Sequence, residues 1–352
     1  MSEPRQIPAA DVESFVRSVC TAVAMPDEDA RLMAAALVDA ELRGVSSHGC
    51  TRLPAYARAL AQKIINPAPA PTRIRGGAAV EVLDGDNGLG IVLGQRSMTR
   101  AVEMAGRTGI AAVATRNSNH TGMLATHVMP AVAAGMIGYF TSNAPAIMAP
   151  WGGRDPALSN GPMAYGIPTR DEPLVLDMAS SATNRGRIRL YANSGQQLPA
   201  GWAIDDEGNH TTDPAAALRG AVLPMGGHKG YGLAVVNEVL AGVLTGARLA
   251  TEMPREFLKE GSRVLDSWGS GHLAVAIDIA AFSALDDFFD QIDVLAGQLR
   301  SARPSRDSDR VRLPGDIERE LTASRRRDGI RFSGFVVDGL DELADELEIT
   351  RL

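Results

Sequence analysis

The chain has 352 residues, 45% of them apolar and 22% charged, with a formal net charge of −7. That composition is ordinary for a globular protein and supplies a sizeable core, enough for two or more domains. The acidic balance argues against nucleic acid as the main partner, because a phosphate backbone calls for a basic surface. Two cysteines, Cys20 and Cys50, form no CxxC pair, and the N-terminus carries no secretory pattern. A reduced, cytoplasmic setting is therefore expected. The six histidines show no HExxH or paired spacing, so no metal site is expected.

Residues 8–22 and 27–43 read as amphipathic helices, with Asp11 and Asp27 near their starts. Gly44 ends the second, since glycine accepts the positive φ of a helix terminus. The apolar pattern resumes through Leu53, Tyr56, Ala57 and Leu60, which predicts a third helix starting near Ser46 or Ser47 under a serine cap. His48 then falls in its first turn, where the helix dipole disfavours a charged ring. Arg52 shares its face, four residues on. A neutral imidazole can exchange a proton with a hydroxyl or carbonyl. A guanidinium beside it can grip a carboxylate through two parallel hydrogen bonds. The pair suits a 2-hydroxy acid or its 2-keto partner. Spacing alone favours a plainer reading: a capping serine, a packing histidine and a surface arginine.

Pro67, Pro69 and Pro71 make a stiff connector and a boundary. A short strand over 80–83 meets a glycine cluster, 84–90, before a helix over 92–107. Gly88, Gly90 and Gly94 are spaced one residue too long for the Rossmann fingerprint, so the cluster reads as a turn. A strand over 109–115 runs into Asn117-Ser118-Asn119-His120-Thr121-Gly122-Met123, ahead of a helix over 124–134. Free N–H groups at a helix start suit a ligand there, and a simple connecting loop fits equally well. Residues 117–153 carry no Asp, Glu, Lys or Arg, yet prolines and glycines interrupt them. They read as a buried sheet region, not a membrane span.

A strand over 136–141 ends at Ser142-Asn143. The turn Leu158-Ser159-Asn160-Gly161-Pro162 precedes strands over 163–168 and 173–176. Asp177, at the end of the latter, can hold a ribose hydroxyl, but capping the next helix is the simpler role. Residues 224–232 set four glycines around Lys229 before a helix over 233–244. The spacing is not that of a Walker A loop, yet a lysine among glycines at a helix start fits an anion. A strand over 273–279, a helix over 286–300, a basic loop over 301–312 and two further helices complete the chain.

The order of these pieces carries more than any one of them. Arg43-Gly44-Val45-Ser46-Ser47-His48-Gly49 with Arg52 and Tyr56 comes first, then Asn119-His120-Thr121-Gly122. Asp177-Met178-Ala179-Ser180-Ser181, Leu198-Pro199-Ala200-Gly201-Trp202 and Thr211-Thr212-Asp213-Pro214 follow. Gly226-Gly227-His228-Lys229-Gly230-Tyr231-Gly232-Leu233 and Leu313-Pro314-Gly315-Asp316 close the set. Over nearly its whole length the chain resembles the malate/L-lactate dehydrogenase family that lacks a Rossmann domain. That group also holds ureidoglycolate and sulfolactate dehydrogenases, 2,3-diketogulonate reductases and piperideine-2-carboxylate reductases.

The resemblance implies an α/β fold with a non-Rossmann NAD(P)-binding region on a mostly antiparallel central sheet, plus an N-terminal helical region. It divides the chain into 1–70, carrying the catalytic histidine, 71–300, binding cofactor, and 301–352, packing back on the N-terminal part. It implies hydride transfer between NAD or NADP and the carbon beside a carboxylate, in a homodimer or larger homo-oligomer without membrane. His48 would exchange the proton, oriented by Ser47, and Arg52 would hold the substrate carboxylate. Asn143 and Asn160 would lie beside the substrate. His120 would line the same pocket, and some relatives give it the acid–base role. Thr121, Gly122, Met123, Leu124, Asp177, Met178, Ala179, Lys229 and Arg306 would face the cofactor. Two departures bear on the substrate. Gly186 is followed by Arg187, where cyclic-imine reductases carry an aspartate. Ser159-Asn160-Gly161-Pro162 replaces the usual Gly-Thr-Asn-Pro.

Overall fold

In the computed structural model, which describes residues 2–254 and 268–352, a short strand β1 (Arg5–Ile7) leads into two helices, α1 (Ala9–Ala22) and α2 (Asp27–Leu42). Pro8 and Pro26 stand just before them with φ of −56° and −59°, already close to helical. Val12, Phe15, Val16 and Val19 bury one face of α1 at the spacing of an amphipathic helix. Asp27, Glu28 and Asp29 crowd the first turn of α2, where negative charge offsets the dipole.

The third helix departs from expectation. Two 3-10 turns, Ser46–His48 and Cys50–Arg52, come first, and α3 (Leu53–Ala61) starts at Leu53 with no serine side-chain cap. Pro54 is the cause. It has no N–H for the Cys50 carbonyl, and its ring would clash there, so an α-helix cannot run back through it.

The central sheet is built next. Its early part is β2 (Thr72–Gly76), β3 (Val80–Gly88), α4 (Gly90–Thr108), β4 (Ile110–Ser118) and α5 (Ala125–Ala133), followed by β5 (Met136–Ser142), β6 (Met163–Ile167) and β7 (Leu174–Met178). An excursion follows: α6 (Arg185–Asn193), β8 (Ala203–Ile204), β9 (His210–Thr211), α7 (Pro214–Arg219) and β10 (Ala221–Val222), its strands paired in the order β10-β8-β9. Then come α8 (His228–Glu238), β11 (Ser270–Asp278), α9 (Leu285–Ser301), α10 (Asp316–Asp328), β12 (Ile330–Phe332) and α11 (Gly334–Glu346).

The seven strands of the main sheet run β2-β3-β4-β11-β5-β6-β7, and β3 with β4 is the one parallel pair among them. This is the mostly antiparallel, non-Rossmann arrangement. β11 enters the middle from late in the chain. Its first five residues are all buried, because both α4 and a π-helical turn after α8 (Val239–Val243) pack on it. Gly271 permits that approach: a Cβ there would lie 2.0 Å from the Ala241 carbonyl oxygen.

Three boundaries move. β3 runs through the glycine cluster to Gly88, with a register shift after Asp84 and left-handed φ of 51° and 56° at Asp86 and Asn87. The cluster is a bulged strand end, not a bare turn. β7 contains Asp177 instead of stopping before it. α8 starts at His228, so Lys229 lies inside its first turn. At the far end, β12 pairs antiparallel with β1, Arg5 opposite Phe332, and Val337, Leu340 and Leu343 of α11 enter the same core as α1–α3.

Candidate active site

The turn that carries His48 is held from several sides. Ser47 Oγ lies 2.9 Å from His48 Nδ1, which leaves Nε2 as the free ring nitrogen. Arg52 turns back, and its Nε donates to the Ser47 carbonyl at 2.9 Å. The two expected partners thus stay adjacent although no α-helix joins them. His48 is neutral for a different reason than the helix dipole. Burial, and then the Arg52 charge, pull its pKa down to about 4.

The opposite wall comes from the loop after β4. Asn119 Nδ2 donates to the Asn87 carbonyl at 3.1 Å, to Asn87 Oδ1 at 2.9 Å and to the Gly88 carbonyl at 3.0 Å. The bulge in β3 therefore anchors the loop. His120 follows, its ring stacked on that of His48 at 5.7 Å and 16°, with Trp268 edge-on at 5.7 Å. The Gly122 amide donates to His120 Nδ1 at 3.3 Å, and the Tyr56 hydroxyl lies 2.6 Å from the same atom. An amide can only donate, so Nδ1 is bare and the proton of the neutral ring sits on Nε2. Burial, followed by the charges of His48 and Arg52, holds the His120 pKa well below the usual histidine value. Burial likewise raises that of Tyr56.

Below this pair, Thr121 Oγ1 meets Ser142 Oγ at 3.0 Å, and His127 Nε2–H donates to the Thr121 carbonyl at 2.7 Å. Asp177 does cap a helix, but not the next one. Its Oδ2 accepts the Ala125 amide at 2.7 Å, and the Leu124 amide also bonds it, so it caps α5 across the sheet. Desolvation of the carboxylate by the surrounding pocket raises its pKa to about 6 despite those two donors, although the residue as a whole is exposed.

These walls enclose a cavity of about 560 Å³, within the range of small-molecule and cofactor sites. Ser47, His48, His120, Asn143 and Asn160 border it, as do Thr121, Gly122, Met123 and Leu124, and then Asp177, Met178 and Ala179. Asn143 does so with its amide already used. Nδ2 donates to the Arg248 carbonyl at 2.8 Å and to Glu238 at 3.2 Å, and Oδ1 accepts the Gly271 amide at 2.9 Å. Three expected residues do not border the cavity. Arg52 stands behind Ser47, Lys229 is exposed on α8, and Arg306 is exposed on the loop after α9. That loop reaches the cavity through Arg312, Leu313, Pro314 and Gly315 instead. Arg43, from the first of the matching strings, also borders it, as do Ile317, Glu318 and Trp268, which carried no sequence signal of their own.

A cavity walled by two uncharged imidazoles and a carboxylate that caps the start of a helix has the parts an oxidoreductase needs for proton exchange beside a bound cofactor. A family model described as malate/L-lactate dehydrogenase matches residues 7–341. The chain belongs to that family. It is 35% identical to a malate dehydrogenase of Pyrococcus horikoshii, over 99% of this chain and 97% of that one. It is also 35% identical to the L-sulfolactate dehydrogenase of Methanocaldococcus jannaschii, over 92% of each. A Δ1-pyrroline-2-carboxylate reductase of Ancylobacter novellus is 32% identical over 94% of this chain and 95% of its own length. The solved structure of a Pyrococcus horikoshii malate dehydrogenase superposes with a TM-score of 0.91 at 33% identity, covering 99% and 97% of the two chains.

Proposed function

We propose that this protein is an NAD(P)-dependent dehydrogenase that moves a hydride to or from C2 of a small 2-hydroxy or 2-keto acid. The observation that carries this reading is the stacked pair of neutral imidazoles on the cavity wall, each with Nδ1 already engaged. The cavity fits a nicotinamide dinucleotide. Val175, Met178, Leu313 and Pro314 offer apolar wall for a ring, and Asp177 offers a carboxylate for a ribose hydroxyl. When bound, that group supplies or accepts the hydride.

The chain's own residues do the rest. Where His48 Nδ1–H donates to Ser47 Oγ, Nε2 holds a lone pair and takes the hydroxyl proton as the alcohol is oxidised. His120, its proton fixed on Nε2, donates to the substrate oxygen and polarises the carbonyl in the reverse direction. Arg52 Nε is occupied, and among the described residues its terminal nitrogens make no hydrogen bond. Arg52 does not line the cavity as it stands, so we assign it the substrate carboxylate only with its guanidinium turned past Ser47 into the pocket.

His48→Ala tests the assignment. Turnover should fall about 10²–10⁴-fold, with dinucleotide affinity by fluorescence quenching unchanged. Near-normal turnover in His48→Ala and loss in His120→Ala would exchange the two roles. A panel of keto acids and cyclic imines, run with NADH and NADPH, separates the substrate readings. The pyrroline-2-carboxylate reductase relative keeps a cyclic imino acid as the second reading, and turnover of imines alone would select it.

The reading includes a homodimer. Leu233, Val236, Val239, Val243 and Leu244 leave an apolar stripe on α8 and its π-helical continuation, with Val236 54% and Val243 59% exposed. A second copy of this surface would cover it.

A further inference from the structure

Glu41 stands near the end of α2 and is 1% exposed. A carboxylate so buried needs its oxygens satisfied. Both of its partners lie in the segment that carries His48. The Ser46 hydroxyl donates to Oε2 at 2.7 Å, and the Cys50 amide donates to Oε1 at 2.8 Å. These two contacts stand on either side of His48. Gly49 completes the fit, since a Cβ there would fall 2.3 Å from Glu41 Oε1. The carboxylate fills the space that any other residue's side chain would need. Arg325 reaches the Glu41 backbone carbonyl and does not neutralise the carboxylate by a direct bond.

The local backbone explains why such a clamp is needed. His48 sits in one 3-10 turn, the next begins at Cys50, and no α-helix spans the two. Short 3-10 turns have poor hydrogen-bond geometry and hold position weakly. We propose that Glu41 is a positioning residue: it ties both ends of segment 46–50 to α2 and so fixes where His48 presents its ring. Glu41 does not border the cavity. The proposal rests on the reading of His48 as the acid–base group.

The test compares Glu41→Ala, Glu41→Gln, Ser46→Ala and His48→Ala in the full-length enzyme, assayed with the best keto acid of the panel. Asp29→Asn is the control. Asp29 is equally buried in the same helix but pairs with Arg96, away from the turn. A displacement near 1 Å in a reacting group can cost about 100-fold. Glu41→Ala is expected to lower kcat by about 10- to 100-fold, with KM and dinucleotide affinity unchanged. Glu41→Gln should restore most of it, because its carbonyl can still accept from Cys50 and its amide can donate to Ser46. Ser46→Ala should lose less. Asp29→Asn should lower Tm and leave kcat alone.

Wild-type kcat in Glu41→Ala overturns the proposal. So does a kcat loss that Asp29→Asn matches, or no recovery in Glu41→Gln. If Glu41→Ala does not fold, Ser46→Ala decides, and an unchanged kcat there overturns it. An inactive His48→Ala beside normal turnover in Glu41→Ala and Ser46→Ala removes only the clamp. Normal turnover in His48→Ala removes the acid–base reading and the clamp together.

Discussion

His48 and Arg52 act on each other before any substrate arrives. The guanidinium helps keep the imidazole uncharged, and burial does most of that work. An ordinary histidine base loses activity as pH falls through about 6.5. Here the ring stays neutral down to about 4. The acid limb of kcat/KM for hydroxy-acid oxidation should therefore lie well below 6.5, since that profile reports the free enzyme's base. A limb centred at 6.5 that disappears in His48→Gln would contradict the burial argument. Arg52→Lys replaces a planar fork with a point charge. It should raise KM for the acid about tenfold or more, with dinucleotide affinity unchanged. An unaltered KM would remove Arg52 from substrate binding.

At the scale of elements, the site depends on chain pieces that meet only through the sheet. Asp177 of β7 caps α5, and the bulge in β3 holds the His120 loop. α8 makes a different kind of contact. Its apolar stripe runs on into the π-helical turn without a charged side chain among Leu233, Val236, Val239, Val243 and Leu244. Val236→Asp and Val243→Asp would place charge where a second copy is expected to sit. Both should shift the protein to monomer by light scattering, and the double variant should do so fully. A dimer that survives both changes would place the interface elsewhere.

The whole molecule has buried histidines away from the chemistry. His127 and His272 are fully buried, with pKa values held down to about 4 and about 3 mainly by burial. Each also has a buried Nδ1 with no hydrogen-bond partner among the described residues. The unfolded chain takes up these protons below about pH 6.5. The folded chain refuses them until the lowered pKa is reached. Stability from each is thus fully present above pH 6.5 and is lost as pH falls, by about 1.4 kcal/mol per unit. Asp177, with its raised pKa, acts in the opposite sense near pH 6. Comparing wild type with His272→Gln cancels that contribution. Urea midpoints of the two should converge as pH drops from 7 to 4.5, and a constant gap would refute the burial of His272 as a neutral group.

Local chemistry is what a chain reveals unaided. Amphipathic spacing and early acidic residues placed α1 and α2, Gly44 ended the second, and ordered strings around His48, His120 and Asp177 marked the family and most of the cavity wall. Strands β1 and β12 went unread because three residues carry no period, and their partners lie at opposite ends of the chain. The partner of Asp177 was out of reach for the same reason, since a cap supplied across a sheet leaves no trace in nearby sequence. Trp268 and Arg312 join the pocket only because β11 and the loop before α10 are brought there. The state of His48 belongs to tertiary structure as well. Sequence pointed to a neutral ring by way of a helix dipole, but Pro54 prevented that helix, and burial against distant residues produced the neutrality instead.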